Sequence, residues 1–134
     1  SMVKSAEDPR IYLPNESLRA MVWLKNNSPE DAAVLSSLFN GNVIPYVARR
    51  TVYIGHGDAT INFEYKLELM NKFYSGQYSE KEMTEFLDKN GINYILYSQL
   101  EKMSDDFTPD EYGFLKKVYE VDEVSIYKFV PQEI

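Results

Sequence analysis

The sequence predicts an α/β fold of three layers, with helices on both faces of a mainly parallel sheet of about four to five strands. Short apolar runs typical of buried strands alternate along most of the chain with amphipathic helical stripes. The last part of the chain differs, because two β-rich runs are separated there by only two acidic residues. That spacing predicts a C-terminal antiparallel hairpin at an edge of the sheet.

A helix followed by a strand is predicted to open the fold. Asn15-Glu16-Ser17 supplies polar capping side chains ahead of an apolar stripe at helical spacing, and Asn26-Asn27 marks the end of that helix. The short apolar run 32–36 then predicts a buried strand.

The next segment is predicted to be less regular until a second strand forms. We expect a loop over 39–42 and a short helix or irregular turn over 43–50, where Pro45 interrupts backbone hydrogen bonding. The β-branched and aromatic run 51–54 predicts a strand. It ends abruptly at the glycine-rich stretch 55–58.

Two helices and a third strand are predicted in the middle of the chain. The run 63–74 carries an apolar stripe at helical spacing. Ser79-Glu80-Lys81-Glu82 matches a capping box at the start of the next helix, and Lys89-Asn90-Gly91 is a typical helix end. The apolar run 92–97 follows directly and predicts a strand.

The C-terminal part is predicted to form a short helix and then the hairpin. Thr108-Pro109-Asp110-Glu111 matches a second capping box with proline at the first helical position, so we expect a short helix that reaches 114–115. The runs 116–121 and 124–130 predict the two hairpin strands, joined at Asp122-Glu123.

Length and composition predict one globular domain. The chain has 134 residues, of which 44% are hydrophobic and 26% are charged, which is ordinary for a folded domain. We expect residues 1–11 to be a linker or the remnant of a cleaved tag, and residues 12–131 to form the domain. No apolar run reaches the length of about 20 residues that a membrane helix needs. Targeting signals are therefore expected to lie outside this piece of sequence.

Charge and cysteine content exclude several classes of function. The net charge of −7 disfavours nucleic acid as a partner, because binding to phosphates requires a basic face. The absence of cysteine excludes structural disulfides and thiolate metal sites. His56 and Asp58 offer two metal ligands but no third follows at a recognisable spacing, so we predict neither a metal nor a cofactor. The sequence also lacks a nucleophile elbow and a glycine-rich phosphate loop, so no complete active site is expected.

The best candidate for a binding site is the edge at which the predicted parallel strands end. Ligands of such sheets bind outside the carboxyl ends of the strands. The stretches 40–42 and 55–58 follow the first two strands and should meet at this edge. His56 lies between two glycines, which leave it open to contact with an anion, a sugar hydroxyl or a backbone group.

The same residues also allow purely structural roles. His56 can hydrogen-bond to a backbone carbonyl, and its flanking glycines can supply positive φ for a sharp turn. Arg50 can pair with an acidic neighbour, and Asn42 can cap a turn.

A series of motifs runs through this part of the chain. Its members are Val34-Leu35-Ser36, Gly41-Asn42-Val43-Ile44-Pro45, the run Arg49-Arg50-Thr51-Val52-Tyr53-Ile54-Gly55-His56, Thr60 and Lys66. The series resembles the C-terminal soluble domain of GT-C type membrane glycosyltransferases, which are relatives of the dolichyl-phosphate-mannose protein mannosyltransferases. The strand 92–97 and the hairpin fit the same resemblance, which covers roughly 12–130. One departure is Gly57, since the family commonly has an aromatic residue directly after the histidine.

The resemblance implies that the chain is an accessory domain of a longer membrane protein. Such a parent would transfer a sugar from a polyprenyl-phosphate donor to an acceptor outside the cytoplasm, with its catalytic acid in a loop near the first membrane spans. The domain would dock on the membrane-embedded part of the same polypeptide, on the extracytoplasmic side, and help to bind the acceptor or the lipid-linked sugar. The candidate ligand-binding residues are Asn42, Arg50, His56, Thr60 and Lys66, and none of them is expected to be catalytic.

Two alternatives stay open at the level of sequence. The chain can be a structural or protein-interaction module of a membrane protein, without a ligand site. It can also be a free-standing small protein that binds or hydrolyses sugars.

Overall fold

The computed structural model describes residues 14–55 and 62–132, which build a five-stranded sheet with helices around it. The helices are α1 Asn15–Asn27, α2 Leu38–Val47, α3 Phe63–Tyr74 and α4 Glu80–Lys89. The strands are β1 Ala33–Leu35, β2 Thr51–Val52, β3 Tyr94–Tyr97, β4 Leu115–Val121 and β5 Val124–Phe129. The expected boundaries of the linker and the domain stay predictions, because the first residues lie outside the described ranges.

The strands follow the order β2-β1-β3-β5-β4 across the sheet. β1 pairs in parallel with β2 and with β3, and Val34 lies opposite Val52 in the first pair and opposite Tyr94 in the second. β5 pairs in antiparallel fashion with β3 and with β4, and the hairpin turns at Asp122. The predicted α/β class is therefore confirmed, with a parallel half that contains β1 and an antiparallel half formed by the C-terminal hairpin.

Helices cover both faces of the sheet and give the predicted three layers. Side chains of β1 and β3 alternate between two clusters of buried residues, because successive residues of a strand point to opposite faces. Val34 and Leu96 pack in the cluster that contains α1 and α2. Leu35 and Ile95 pack in the cluster that contains α3 and α4.

Helices α3 and α4 lie where the sequence predicts them, whereas α1 starts slightly earlier. The Ser79 hydroxyl oxygen accepts the Glu82 N–H at 3.1 Å, and the Glu82 carboxylate accepts the Ser79 N–H at 2.9 Å, so the predicted capping box is confirmed. The hydrogen bond from the Ser79 N–H, and after it the hydrogen-bond contact with the Ser79 side chain, lowers the pKa of Glu82. α1 begins at Asn15 itself with Pro14 at its N-cap, which places the helix start before the expected cap.

Helix α2 occupies the segment 39–42, where we expected a loop. The Ser37 hydroxyl oxygen caps the helix by accepting the Asn40 N–H at 3.3 Å. The helix continues through Pro45, which is exposed and only leaves the Gly41 carbonyl without its helical donor. The expected loop is wrong because Asn40 and Gly41 are buried by tertiary packing, which offsets the weak helix propensity of this segment.

The second predicted capping box, at 108–111, does not form, and the prediction of a short helix there is wrong. Residues Pro109–Glu111 form a 3₁₀ turn without a side-chain cap, and no helix follows it up to residue 132, where the described range ends. The rings of Tyr112 and Phe114 stack with centroids 5.4 Å apart, and Leu115 already pairs with Phe129 in the hairpin. Pairing with β5 therefore turns the chain into a strand where the local pattern favours a helix.

Two glycines let α2 approach the segment that follows β2. A Cβ atom on Gly41 would lie 1.9 Å from the Ile54 carbonyl oxygen, and one on Gly55 would lie 2.5 Å from the Gly41 carbonyl oxygen. Positive φ occurs at other glycines of the described chain but not at these two. A close backbone contact, and not the expected positive φ at Gly55, explains why glycine is needed here.

Gly41→Ala is expected to destabilise the fold by about 3 kcal/mol, because the new Cβ has no space beside Ile54. Helix propensity alone predicts the opposite sign, since alanine in a helix is favoured over glycine by about 1 kcal/mol. Gly113→Ala is the matched control, because the nearest atom to its Cβ would be 3.8 Å away. Urea unfolding measures both variants, and an unchanged or raised stability of Gly41→Ala would contradict the contact.

Candidate functional site

The carboxyl ends of β1, β2 and β3 lie at one edge of the sheet, as their parallel pairing requires. The chain leaves the three strands there through 36–37, 53–55 and 98–101. The close approach of Gly41 and Gly55 brings the stretch 40–42 next to the start of the stretch 55–58, and the sequence predicted that these two stretches meet at this edge. Residues 56–58 lie outside the described ranges.

A fully buried carboxylate, Glu101, joins two of these stretches. Its Oε2 accepts the Ser37 N–H at 2.9 Å and the Asn40 Nδ2 amide at 2.7 Å. Its Oε1 accepts the Ser98 N–H at 2.7 Å and the Ser98 hydroxyl at 2.5 Å. A buried carboxylate is costly unless its oxygens are hydrogen-bonded, so these bonds hold the β1–α2 connection against the end of β3. We call Ser37, Asn40, Ser98 and Glu101 the carboxylate cluster.

The Tyr74 hydroxyl lies between the ends of the two central parallel strands. Its oxygen is 3.0 Å from the Leu35 carbonyl oxygen and 2.9 Å from the Leu96 carbonyl oxygen, so its single hydrogen is shared between them. Burial raises the pKa of Tyr74 well above its ordinary value of 10.0, and the negative charge of Glu101 raises it further. The hydroxyl therefore stays protonated and bridges β1 and β3 where their chains diverge.

An apolar groove of about 650 Å³ lies beside the carboxylate cluster. Its apolar lining includes Phe39 of α2, Leu100 of the turn after β3, and Val124 of β5. Phe39 is 40% exposed and Leu100 is 50% exposed. The acidic residues that line the same groove are Glu16, Asp122 and Glu123. The groove thus combines apolar walls with a negatively charged rim.

Asn42, a predicted ligand-binding residue, lies inside α2 and not in a turn. Its Oδ1 atom is buried and accepts no hydrogen bond from the described residues, and the same is true of Asn40 Oδ1. A buried acceptor without a donor costs free energy, which a donor from a ligand or partner would recover. The helical position excludes the alternative that Asn42 caps a turn, and its ligand role stays a prediction.

Arg50, another predicted ligand-binding residue, is buried and bonded to the protein itself. Its Nε donates to the Ser28 hydroxyl at 2.9 Å, and its Nη1 donates to the carbonyls of Ala48 at 3.3 Å and Arg49 at 3.2 Å. Its Nη2 donates to the carbonyls of Lys25 at 3.0 Å and Ser28 at 2.8 Å. The guanidinium therefore joins the end of α1 to the start of β2, which favours the structural alternative for Arg50. Its partners are a hydroxyl and four carbonyls, and not the acidic neighbour that we expected.

Lys66 is the predicted residue that the structure places next to the end of β2. Its Nζ donates to the Tyr53 carbonyl at 3.3 Å and lies 5.4 Å from the centre of the Tyr53 ring. Arg50 lies at the other end of β2, so the structure separates these two candidates. His56 and Thr60 lie outside the described residues, and their ligand roles stay predictions.

Sequence reasoning missed the carboxylate cluster, although one signal pointed to it. Ser98-Gln99-Leu100-Glu101 has the same Ser-x-x-Glu pattern as the capping box at 79–82. The turn behaves like the start of a helix, because the Ser98 hydroxyl oxygen accepts the Leu100 N–H at 3.2 Å. A Ser-x-x-Glu pattern directly after a predicted strand would have identified Glu101.

Within residues 14–55 and 62–132, no three His, Asp or Glu side chains are grouped closely enough to hold a metal ion. Nor do those ranges contain a helix with both the length and the apolar composition needed to cross a membrane. The expected absence of a metal and of a cofactor stays a prediction.

Comparison with known proteins identifies the fold but not a family. No protein-family model matches the chain, and no curated protein matches it. Among solved structures, the chain is similar to the C-terminal globular domain of the oligosaccharyltransferase AfAglB-S2 from Archaeoglobus fulgidus. The TM-score is 0.63 at 18% sequence identity, and the match covers 87% of this chain and 98% of that one. At this identity the likeness establishes the fold alone.

Tyr74→Phe is expected to cost about 1 kcal/mol near neutral pH, because it removes the hydroxyl shared by the Leu35 and Leu96 carbonyls. The pKa of Tyr74 is raised in the folded state, so above about pH 10 this tyrosine ionises only in the unfolded chain. The difference in free energy of unfolding between wild type and Tyr74→Phe is therefore fully present below about pH 10 and shrinks above it. Urea unfolding at several pH values checks this, with the exposed Tyr46→Phe as control. An advantage that grows above pH 10 would contradict the assignment.

Proposed function

We propose that this chain is the extracytoplasmic accessory domain of a membrane glycosyltransferase that uses a polyprenyl-phosphate sugar donor. The observation that carries the proposal is the fold shared with the C-terminal globular domain of an oligosaccharyltransferase, which extends over 98% of that domain. The motif series between 34 and 66, which resembles the tails of GT-C type enzymes, supports the same function.

In this proposal the chemistry belongs to the membrane part of the parent, and the domain assists binding. The carboxylate cluster supports that division of roles. Glu101 is the acid buried at the carboxyl edge, and its two oxygens already accept four hydrogen bonds from Ser37, Asn40 and Ser98. A carboxylate saturated in this way has no oxygen left to take a proton from a substrate.

The apolar groove is the surface that we assign to contact with the membrane part. Pro14 lines the groove, so in a parent whose membrane part precedes the domain, the connecting chain arrives beside it. Contact would cover Phe39 and Leu100, which are otherwise half exposed. The acidic rim repels anionic lipid head groups, which favours a protein segment with apolar and basic side chains over the bilayer itself.

Asn42 and Lys66 are the described candidates for contact with the acceptor or with the lipid-linked sugar. Asn42 Oδ1 accepts no hydrogen bond from residues 14–55 or 62–132, which supports this role, because a ligand hydroxyl or amide can donate to it. His56 and Thr60 are assigned to the same role on the resemblance alone. The hydrogen bonds of Arg50 favour a supporting role in which it positions α1 against β2.

Leu100→Ser in the full-length parent is expected to lower sugar transfer from a polyprenyl-phosphate donor about tenfold. Loss of one apolar side chain from a docked groove costs on the order of 1.4 kcal/mol, which corresponds to that factor. Val22→Ser is the matched control, because Val22 is 42% exposed on α1 but does not line the groove, and it should leave transfer within about twofold.

The two parts of the proposal fail separately. Equal rates of sugar transfer by the Leu100→Ser and Val22→Ser variants of the parent would contradict docking through the groove. A parent that transfers no sugar from any polyprenyl-phosphate donor would contradict the proposed function itself.

A further inference from the structure

A second cleft, of about 360 Å³, opens between α3 and α4 on the other side of the sheet from α1 and α2. Its lining includes Tyr65, Lys66 and Leu69 of α3 and Glu82, Glu85 and Phe86 of α4. The volume lies within the range of about 300–1,000 Å³ that is typical of small-molecule sites. The apolar groove lies elsewhere, because the two share no lining residue.

Aromatic rings form the apolar part of this cleft. Phe86 is only 7% exposed, and its ring centre lies 5.1 Å from that of Tyr53 and 5.8 Å from that of Tyr78. Tyr65 lines the cleft as well but is 59% exposed. An exposed tyrosine next to a buried aromatic cluster presents an apolar face and a polar tip, which suits a ligand that is apolar on one face and polar at its edge.

The polar part of the cleft carries balanced charge. Its described lining contains two ammonium groups, two carboxylates and two side-chain amides, from Lys66, Lys89, Glu82, Glu85, Asn62 and Asn90. A hydroxyl group can donate to a carboxylate and accept from an ammonium or an amide, so a ligand rich in hydroxyls can bond to groups of all three kinds. Glu82, Lys66 and Asn90 also bond within the protein, to Ser79, Tyr53 and Phe86. A phosphate group would meet as many carboxylates as ammonium groups and gain no net attraction.

From this combination we infer that the α3–α4 cleft binds a short, uncharged saccharide. The C–H face of a sugar ring packs on the exposed ring of Tyr65, while its hydroxyls bond to the surrounding charged and amide groups. A wholly apolar ligand fits less well, since it would remove the charged groups from water without replacing their hydrogen bonds. Lys66, which we assigned to contact with the acceptor or the lipid-linked sugar, lines this cleft, so the inference deepens the proposed function and rests on it in that respect.

Titration of the ¹⁵N-labelled 134-residue chain with maltose, cellobiose and a mannobiose tests this inference. We expect at least one sugar to shift amide resonances of α3 and α4 with an affinity on the order of 1 mM. Tyr65→Ala should weaken that affinity about tenfold, and Glu85→Gln should weaken it as well, with folding checked by the remaining resonances. Tyr46→Ala is the matched control, because Tyr46 is 53% exposed on α2 but lies outside the cleft.

Three results would overturn the inference. They are the absence of shifts at the solubility limit of all three sugars, equal weakening by Tyr65→Ala and Tyr46→Ala, and tighter binding of glucose 1-phosphate than of the uncharged sugars. None of these measurements involves sugar transfer by the parent, so a failure here is distinguishable from a failure of the proposed function.

Discussion

The buried carboxylate of Glu101 constrains the part of the fold that carries the candidate site. A charge that is fully removed from water must find donors inside the protein, and four donors converge on it. Because those donors belong to the β1–α2 connection, to α2 and to the end of β3, they fix where α2 starts relative to the sheet. The apolar groove follows from this arrangement, since Phe39 directly precedes Asn40 and Leu100 directly precedes Glu101.

Elements with strong local signals could be predicted from the sequence, and elements held by distant contacts could not. The capping box at Ser79 and the two-residue connection before Val124 act over a few residues, so α4 and the hairpin lie where they were predicted. Helix α2 contains Gly41 and Pro45, which locally disfavour a helix. Its stability comes from buried contacts with Ile54 and from the bond between Asn40 and Glu101, which no local pattern reveals.

The edge of the sheet that carries the candidate site could also be predicted, because parallel strands place their carboxyl ends together. The Ser-x-x-Glu pattern points to Glu101 itself, but its bond to the Ser37 N–H could not be predicted, since the two residues are 64 positions apart in the sequence. Arg50 shows the converse case. The sequence predicts it as a ligand-binding residue, yet its guanidinium is bonded to carbonyls at the end of α1 and in the turn before β2. The hydrogen-bonded edge that results can support binding by neighbouring loops and grooves without supplying the chemistry itself.

Amide hydrogen exchange at Ser37 and Ser98 tests most directly whether Glu101 organises this edge. Both N–H groups donate to the buried carboxylate, although neither residue lies in a helix or a strand. We expect both amides to be protected as strongly as those in the centre of β3, while the exposed neighbour Gln99 exchanges rapidly. Exchange of Ser37 and Ser98 at the rate of Gln99 would contradict a structural role for the carboxylate.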